Sequence, residues 1–174
     1  MKNNILIAFF SREGGNYFGG KIIDLKTGNT EIIARKLSSL TNGELFKIDP
    51  KEKYSSDYTA CTEQAKEDLA KGARPELTNY PEDISGYDTV ILCYPNYWST
   101  MPVHVFAFLE HYDFGGKKIL PLCTHEGSGM GKSEADLKKT CPSSDIKAGL
   151  AIRGSDAQNC DEELKSWLKA NNII

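Results

Sequence analysis

The strongest constraint on the fold is a repeated alternation of short apolar runs with segments of helical periodicity. Four runs are apolar almost throughout and rich in strand-forming residues, and a fifth, shorter run alternates apolar with polar positions. A continuously apolar run is typical of a parallel strand covered on both faces, whereas alternation indicates a strand nearer an edge. The predicted strands are residues 4–10, 44–48, 89–94, 118–123 and 146–152.

Segments of helical periodicity separate the predicted strands and end the chain. The predicted helices are residues 29–40, 57–71, 103–112, 132–140 and 161–170. This alternation implies right-handed crossovers, and therefore an α/β fold in which a doubly wound, five-stranded parallel sheet is the middle of three layers. In such a sheet, ligands bind at the carboxyl ends of the strands, where the strand order reverses. The loops that follow the strands are therefore the places to look for a functional site.

Composition excludes several classes of function. A chain of 174 residues with 40% hydrophobic residues predicts a single domain over residues 1–174. The formal net charge of -3 gives no basic surface for nucleic acid. Neither a signal peptide nor a membrane-spanning stretch is evident, which predicts a cytoplasmic protein without membrane contact. Scattered cysteines without a C-x-x-C pair predict free thiols and no metal site: Cys61, Cys93, Cys123, Cys141 and Cys160.

Residues 12–26 (REGGNYFGGKIIDLK) form a long, glycine-rich loop between the first predicted strand and the first predicted helix. A few residues would be enough to make that connection. With Tyr17 and Phe18 among its glycines, the insertion could serve as a lid or as part of an acceptor pocket. The alternative is a flexible decoration of the fold.

The tetrapeptide Thr27-Gly28-Asn29-Thr30 opens the first predicted helix. Backbone N–H groups and the helix dipole at such a start form a seat for a phosphate group, with hydroxyl and amide side chains around it. Gly28 would let the backbone approach the anion closely, and Ser11 at the end of the first strand adds a hydroxyl. The alternative is a plain helix cap without a ligand. Three cations of the preceding loop could also reach the anion: Arg12, Lys21 and Lys26.

Two adjacent aromatic residues follow the third predicted strand, in the sequence Pro95-Asn96-Tyr97-Trp98. Prolines on both sides stiffen this loop, which lowers the entropic cost of holding a flat surface open. A planar ring system stacked on the aromatic pair is the favoured interpretation. The alternative is a hydrophobic staple, in which the aromatic residues pack the loop against the next helix.

The loop after the fourth predicted strand, residues 124–133 (THEGSGMGKS), ends like a nucleotide-binding P-loop. That motif has the spacing G-x-x-x-x-G-K-[ST], and Gly131-Lys132-Ser133 match its end. Its first glycine would fall at position 126, where the chain has Glu126. A carboxylate there repels phosphate. Nucleotide binding by this loop is therefore a remote alternative.

The glycines of the same loop favour a different use. Gly127 and Gly129 allow the backbone to contact the edge of a flat ligand, and its N–H and C=O groups suit the pyrimidine ring of a flavin. His125 could lie over the ring edge and bias its redox chemistry by charge, or it could be a loop residue without a role. Glu126 beside a reduced, anionic flavin is unfavourable unless it points to solvent.

Together these motifs resemble the flavodoxin family over essentially the whole chain, and T-G-N-T is the most specific of them. The resemblance implies a strand order of 2-1-3-4-5 and one FMN, bound non-covalently. The phosphate would be bound by Ser11, Thr27, Asn29 and Thr30. One side of the isoalloxazine ring would be covered by Pro95, Asn96, Tyr97 and Trp98, and its other edge would meet Thr124, His125, Glu126, Gly127 and Gly129. The chain departs from the family pattern where the insertion separates Ser11 from Thr27.

Two functions are compatible with this resemblance. The first is a low-potential, one-electron carrier that shuttles electrons between redox protein partners. The second is an FMN-dependent NAD(P)H:quinone-type reductase, which needs an open site above the ring for a small quinone-like acceptor. A monomer or a weak dimer is expected in both cases.

Overall fold

A computed structural model describes residues 4–174 of the chain. The strands are β1 (Ile5–Phe9), β2 (Gly14–Phe18), β3 (Lys21–Leu25), β4 (Glu44–Lys47), β5 (Thr89–Pro95), β6 (Lys118–His125), β7 (Asp145–Ile146) and β8 (Leu150–Arg153). The helices are α1 (Asn29–Thr41), α2 (Tyr58–Lys71), α3 (Val103–His111), α4 (Ser133–Thr140) and α5 (Asp161–Ala170), with a 3-10 helix at Gly154–Asn159.

The central sheet is parallel throughout and confirms the α/β prediction. Its order is β4-β1-β5-β6, and both β7 and β8 pair with β6 on the far side. If β7 and β8 are taken together as the fifth strand, this is the order 2-1-3-4-5. The strand order reverses between β1 and β5, which places the switch point where these two neighbours diverge into their loops.

The predicted fifth strand, residues 146–152, is not continuous. It is interrupted between β7 and β8, where the backbone N–H of Gly149 donates to Glu134 Oε1 over 2.7 Å. A Cβ at position 149 would overlap Met130 Cε. The Glu134 carboxylate on α4 therefore accepts the backbone N–H that would pair with a neighbouring strand in a regular sheet. The missing Cβ of Gly149 makes the close approach of α4 possible.

Both faces of the sheet are buried, as the apolar runs predict. Along β5, Val90, Leu92 and Tyr94 belong to the core beneath α3 and α4, whereas Ile91 and Cys93 belong to the core beneath α1 and α5. Successive side chains of a strand point to opposite faces, so a continuously apolar strand contributes to two cores at once.

The inserted segment is an antiparallel hairpin, so its prediction as a loop was wrong. β2 and β3 pair in register, with Tyr17 opposite Ile22. Gly19 and Gly20 make the turn with φ of +57° and +89°, the left-handed conformation that a two-residue hairpin turn requires. The backbone N–H of Gly15 donates to the carbonyl oxygen of Ser56 over 2.9 Å and ties the hairpin to the start of α2.

Helix α2 differs from the other helices in what its buried side covers. Its two buried residues, Cys61 and Ala65, line a cleft and belong to neither core cluster. Its neighbours include α3 and the inserted strand β2. None of the helices within residues 4–174 has both the length and the apolar character needed to cross a bilayer.

Candidate functional site

A large cleft, of about 760 Å³, opens at the carboxyl ends of β1, β5 and β6. This is the edge of the sheet at which the sequence predicts ligand binding. The predicted site residues that line it are Ser11, Asn29, Thr30, Pro95, Asn96, Tyr97, Trp98, Thr124, His125, Glu126 and Gly127. Those that do not line it are Thr27, Gly28 and Gly129.

The start of α1 offers hydrogen-bond donors to the cleft. The N-cap residue is Gly28, which has no side chain to cap with, and Ser11 Oγ instead accepts the backbone N–H of Glu31 over 3.0 Å. The Ser11 hydroxyl hydrogen is thus left to donate elsewhere. The N–H groups of Asn29 and Thr30 lie in the first turn, where a helix supplies no acceptor. This helix start therefore presents neutral donors to an anion.

A buried pair of hydroxyls joins this helix start to the carboxyl end of β6. Thr30 Oγ1 and Thr124 Oγ1 are 2.7 Å apart, and the two residues are 2% and 4% exposed. One hydroxyl donates to the other, so the pair retains one hydrogen for a further acceptor.

Gly28 packs closely against the segment that follows the first strand. It is buried and outside the cleft, and a Cβ there would overlap Ser11 Oγ and lie 2.6 Å from the carbonyl oxygen of Arg12. The glycine is therefore required for packing of the helix start against the chain that leads into the hairpin. Thr27 is exposed outside the cleft.

Arg12 lines the cleft, but its guanidinium is already engaged. It donates to the carbonyl oxygens of Ser55 and Ser56 over 2.7 and 2.9 Å, and to that of Gly15 over 2.5 Å. In the part of the chain that the structure describes, no carboxylate forms a salt bridge with it. The arginine therefore joins the hairpin base to the start of α2 and leaves a positive charge in the cleft wall.

Trp98 is held in a strained loop at the rim of the cleft. Trp98 and Ser99 have φ of +53° and +69°, which is costly for residues other than glycine. The indole Nε1–H donates to the carbonyl oxygen of Thr62 over 2.8 Å, and the Lys66 ammonium lies 5.1 Å from the ring centroid. The indole is fixed onto α2, so the proposed staple onto the next helix is wrong for Trp98.

Tyr97 and Asn96 have supporting positions in the same loop. Tyr97 packs edge-on against Phe10, with ring centroids 5.8 Å apart. Asn96 Oδ1 accepts the N–H of Ser99 over 2.9 Å, and its Nδ2 donates to the carbonyl oxygen of Gly129 over 2.9 Å. Asn96 thus joins the loop after β5 to the loop after β6, and Gly129 contributes through this contact.

His125 lines the cleft as a neutral imidazole. Its Nδ1 accepts the backbone N–H of Gly127 over 2.9 Å, which places the ring hydrogen on Nε2. Burial and the nearby positive charge of Arg153 lower the pKa of His125, against the opposing effect of Glu126. The side chain therefore offers a hydrogen-bond donor to the cleft, in place of the positive charge that the sequence suggested.

The Glu126 carboxylate is bound by backbone and hydroxyl donors. Oε2 accepts the N–H of Gly19 at the hairpin tip over 3.1 Å, and Oε1 accepts the N–H of Ser155 over 2.7 Å. The Ser155 hydroxyl lies 3.3 Å from Oε2. Glu126 thus connects the tip of the hairpin to the 3-10 helix after β8, and these donors offset the charge of the carboxylate.

The P-loop alternative is not supported by the geometry. None of Gly131, Lys132 and Ser133 lines the cleft. Ser133 is fully buried, donates to the carbonyl oxygen of Met130 over 2.6 Å and accepts the hydroxyl of Tyr94 over 2.9 Å. The Ser133 hydroxyl, which in a P-loop would bind the nucleotide's cation, is thus hydrogen-bonded inside the protein.

One wall of the cleft, here called the hairpin–helix wall, was predicted only in part: the sequence pointed to the inserted segment with Tyr17 but not to α2. The wall comprises six residues from the hairpin and α2: Asn16, Tyr17, Tyr58, Cys61, Thr62 and Ala65. The four α2 positions have helical spacing and share one face, so the sequence indicates that this face is buried. The spacing did not identify the site, because helical periodicity alone does not say whether a buried face meets a sheet or a cleft.

The fold and sequence were compared with known proteins. Residues 21–171 match the family model described as flavodoxin. A protein of Bacteroides eggerthii, provisionally named a flavoprotein, is 28% identical, with 96% of each chain covered and a TM-score of 0.77. A second such protein, from Bacteroides uniformis, is 22% identical, with 97% of this chain and 99% of that chain covered and a TM-score of 0.76.

A flavoprotein of Lactobacillus acidophilus, solved in complex with FMN, is 15% identical, with 90% of this chain and 97% of that chain covered and a TM-score of 0.64. At this identity the likeness shows a shared fold. A search of curated proteins finds no match. The family model covers most of the sequence, and the sheet order and the switch-point cleft agree with it. The chain therefore belongs to the flavodoxin family.

Proposed function

We propose that this protein binds one FMN non-covalently in the switch-point cleft and serves as a low-potential, one-electron carrier between redox partner proteins. The observation that carries the proposal is the convergence of the α1 start, the aromatic loop and the glycine loop on one cleft. Each of these elements alone has a structural explanation. Their convergence at the switch point suits a ligand with an anionic end and a flat end.

The α1 start fits the phosphate of FMN. Ser11 retains a hydroxyl hydrogen, the Thr30 and Thr124 pair retains another, and the first N–H groups of α1 have no acceptor within the helix. These are neutral donors beside the positive end of a helix dipole, a combination that stabilises an anion without a lysine or arginine contact.

The two loops fit the ring of FMN. Trp98 provides a fixed aromatic surface, and His125 provides a neutral Nε2–H donor on the other loop. When bound, FMN supplies the electron chemistry that the side chains cannot. The protein's contribution is to hold the ring, to exclude water from it and to keep a proton at His125 Nε2 near its edge.

Two further observations agree with this proposal. The Lactobacillus acidophilus protein of the same fold is solved with FMN. The five cysteines are free and buried, which suits a reducing compartment such as the cytoplasm.

The second candidate is an FMN-dependent NAD(P)H:quinone-type reductase. The hairpin–helix wall favours it, because Tyr17 and Tyr58 add an aromatic surface to the cleft beyond the predicted FMN contacts.

An anaerobic redox titration of the FMN-loaded protein distinguishes these two functions. A carrier is expected to take up electrons in two separate one-electron steps and to react slowly with NADH or NADPH. A single two-electron step with rapid oxidation of either nucleotide would replace the carrier with the reductase. A protein that binds no flavin would contradict both.

A further inference from the structure

Two tyrosines of the hairpin–helix wall face the cleft at a distance suited to ring contact. Tyr17 lies on β2 and Tyr58 at the start of α2, with ring centroids 6.3 Å apart and an interplanar angle of 33°. Both line the cleft. The predicted FMN contacts lie after β1, at the start of α1, and at the carboxyl ends of β5 and β6 with the loops that follow them. Neither tyrosine is therefore part of the predicted cofactor site.

Tyr17 leaves much of its ring open. It is 43% exposed and Trp98 is 45% exposed, and both border the same cleft. Single exposed hydrophobic residues are ordinary, but aromatic rings on two sides of one concave site mark a place where a flat ligand buries apolar surface.

The structure holds Tyr17 in position from both ends of the hairpin. At the base, Arg12 and Gly15 bond to the segment before α2. At the tip, Glu126 accepts the N–H of Gly19. An isolated two-stranded hairpin is marginally stable, so these contacts keep the tyrosine in place before a ligand arrives.

Within the described residues, the charges of the cleft lining balance, because the lining contains one arginine, Arg12, and one carboxylate, Glu126. The Arg12 guanidinium donates to backbone carbonyl oxygens, and the Glu126 carboxylate accepts from Gly19 and Ser155. Among residues 4–174, the cleft lining contains no lysine. Phenolic hydroxyls of Tyr17 and Tyr58 are the polar groups on this wall that can donate to a carbonyl oxygen. A flat ring that carries carbonyl groups and no charge matches these features.

We propose that Tyr17 and Tyr58 form a second subsite of the cleft, beside the FMN position, which binds a flat, uncharged ring of the quinone class. The proposal rests on the FMN binding in the proposed function, since the subsite is placed next to bound FMN, and it bears on the reductase candidate and not on the carrier. It identifies the inserted hairpin as the element that determines which acceptor enters the cleft.

The test is a calorimetric titration of the oxidised, FMN-loaded protein with 2,3-dimethyl-1,4-naphthoquinone. The methyl groups of this probe block the ring carbons to which the Cys61 thiol would otherwise add. Tyr17→Ala is expected to weaken binding by about tenfold, the value of a lost aromatic contact. Tyr17→Phe keeps the ring and is expected to remain within about threefold of the wild type.

Ile22→Ala is the matched control. Ile22 lies directly opposite Tyr17 on the hairpin and is 57% exposed, but it does not line the cleft. It is expected to leave naphthoquinone binding unchanged. Cyclohexane-1,4-dione, which has two carbonyls and no conjugated ring, is expected not to bind. Flavin fluorescence gives the FMN affinity of each variant, and circular dichroism its fold.

Three results would overturn the subsite. The first is equal binding of the probe to the FMN-loaded wild type and to Tyr17→Ala. The second is binding of the probe only when FMN is absent. The third is a loss of FMN affinity in Tyr17→Ala as large as its loss of affinity for the probe. The second and third results assign the wall to the cofactor itself and leave the proposed function intact. Failure of the wild type to bind FMN contradicts the proposed function.

Discussion

At the scale of single residues, the hydroxyl pair of Thr30 and Thr124 determines what the α1 start can donate. Both side chains are buried, and their oxygens lie 2.7 Å apart. Removal of one partner leaves the other without its hydrogen bond in a buried position, which costs more than the bond itself contributed. The pair therefore supports the fold and the candidate phosphate site together.

Thr30→Val keeps the shape of the side chain and removes its hydroxyl. We expect FMN binding to weaken by about 1–3 kcal/mol, the range for a lost hydrogen bond to a charged group. Isothermal titration of the apoprotein with FMN measures this. Thr41→Val is the control, because Thr41 is also buried on α1 but bonds to the carbonyl oxygen of Leu37 at the other end of the helix. Equal FMN affinity in the two variants would place the anion elsewhere.

His104 is a buried histidine that the fold tolerates only when neutral. It stacks on Phe10 with ring centroids 4.9 Å apart, and neither ring nitrogen has a hydrogen-bond partner within residues 4–174. Burial lowers the pKa of His104 from 6.5 to about 4, against the opposing effect of Asp68. The unfolded chain takes up this proton near pH 6.5 and the folded chain only near pH 4, so stability is lost as the pH falls between these values.

Between pH 7 and about pH 4, the wild type is expected to lose about 3 kcal/mol more unfolding free energy than His104→Phe loses. Urea unfolding of wild type and variant at both pH values measures the difference, and the carboxylates contribute equally to both proteins. His111→Phe, at the exposed end of the same helix, is the control. An unchanged pH dependence in His104→Phe would show that His104 is not the group responsible.

At the scale of elements, the inserted hairpin is the part of the fold that the sequence was least able to predict. The turn signal was present in Gly19-Gly20 between two short runs of strand-forming residues, but the glycines at the start of the segment made it look like a loop. The contacts that fix the hairpin are with residues far along the chain: the backbone of Ser56 and the side chain of Glu126. Such long-range contacts leave no local pattern.

Glu126→Ala is expected to loosen the hairpin while the central sheet remains protected. Loss of the bond to Gly19 lowers the free energy of local opening by about 1–3 kcal/mol, the range for a charge-assisted hydrogen bond. Hydrogen exchange measured by mass spectrometry over residues 14–25 detects this. Glu13→Ala, which removes an exposed carboxylate at the hairpin base, is the control. Equal exchange in both variants would show that Glu126 does not hold the tip.

At the scale of the whole molecule, the layers and the position of the cleft followed from the alternation of strands and helices. Apolar strands such as β5 must be covered on both faces, and parallel connections must cross over, so few topologies remain. The lining from three of the predicted loops followed in the same way. The side of the cleft formed by α2 did not, because local periodicity does not encode that the face with Tyr58 and Ala65 meets a cleft and not the sheet.

The central claim is that one cleft holds the phosphate of FMN at the start of α1 and its ring between the two loops. Titration of the apoprotein with FMN and, in parallel, with riboflavin tests it most directly, because the two ligands differ only in the phosphate. We predict one FMN per chain and binding of riboflavin weaker by at least about 100-fold, the lower end of the effect of losing two hydrogen bonds to a charged group. Equal affinity for the two flavins, or no binding of either, would contradict it.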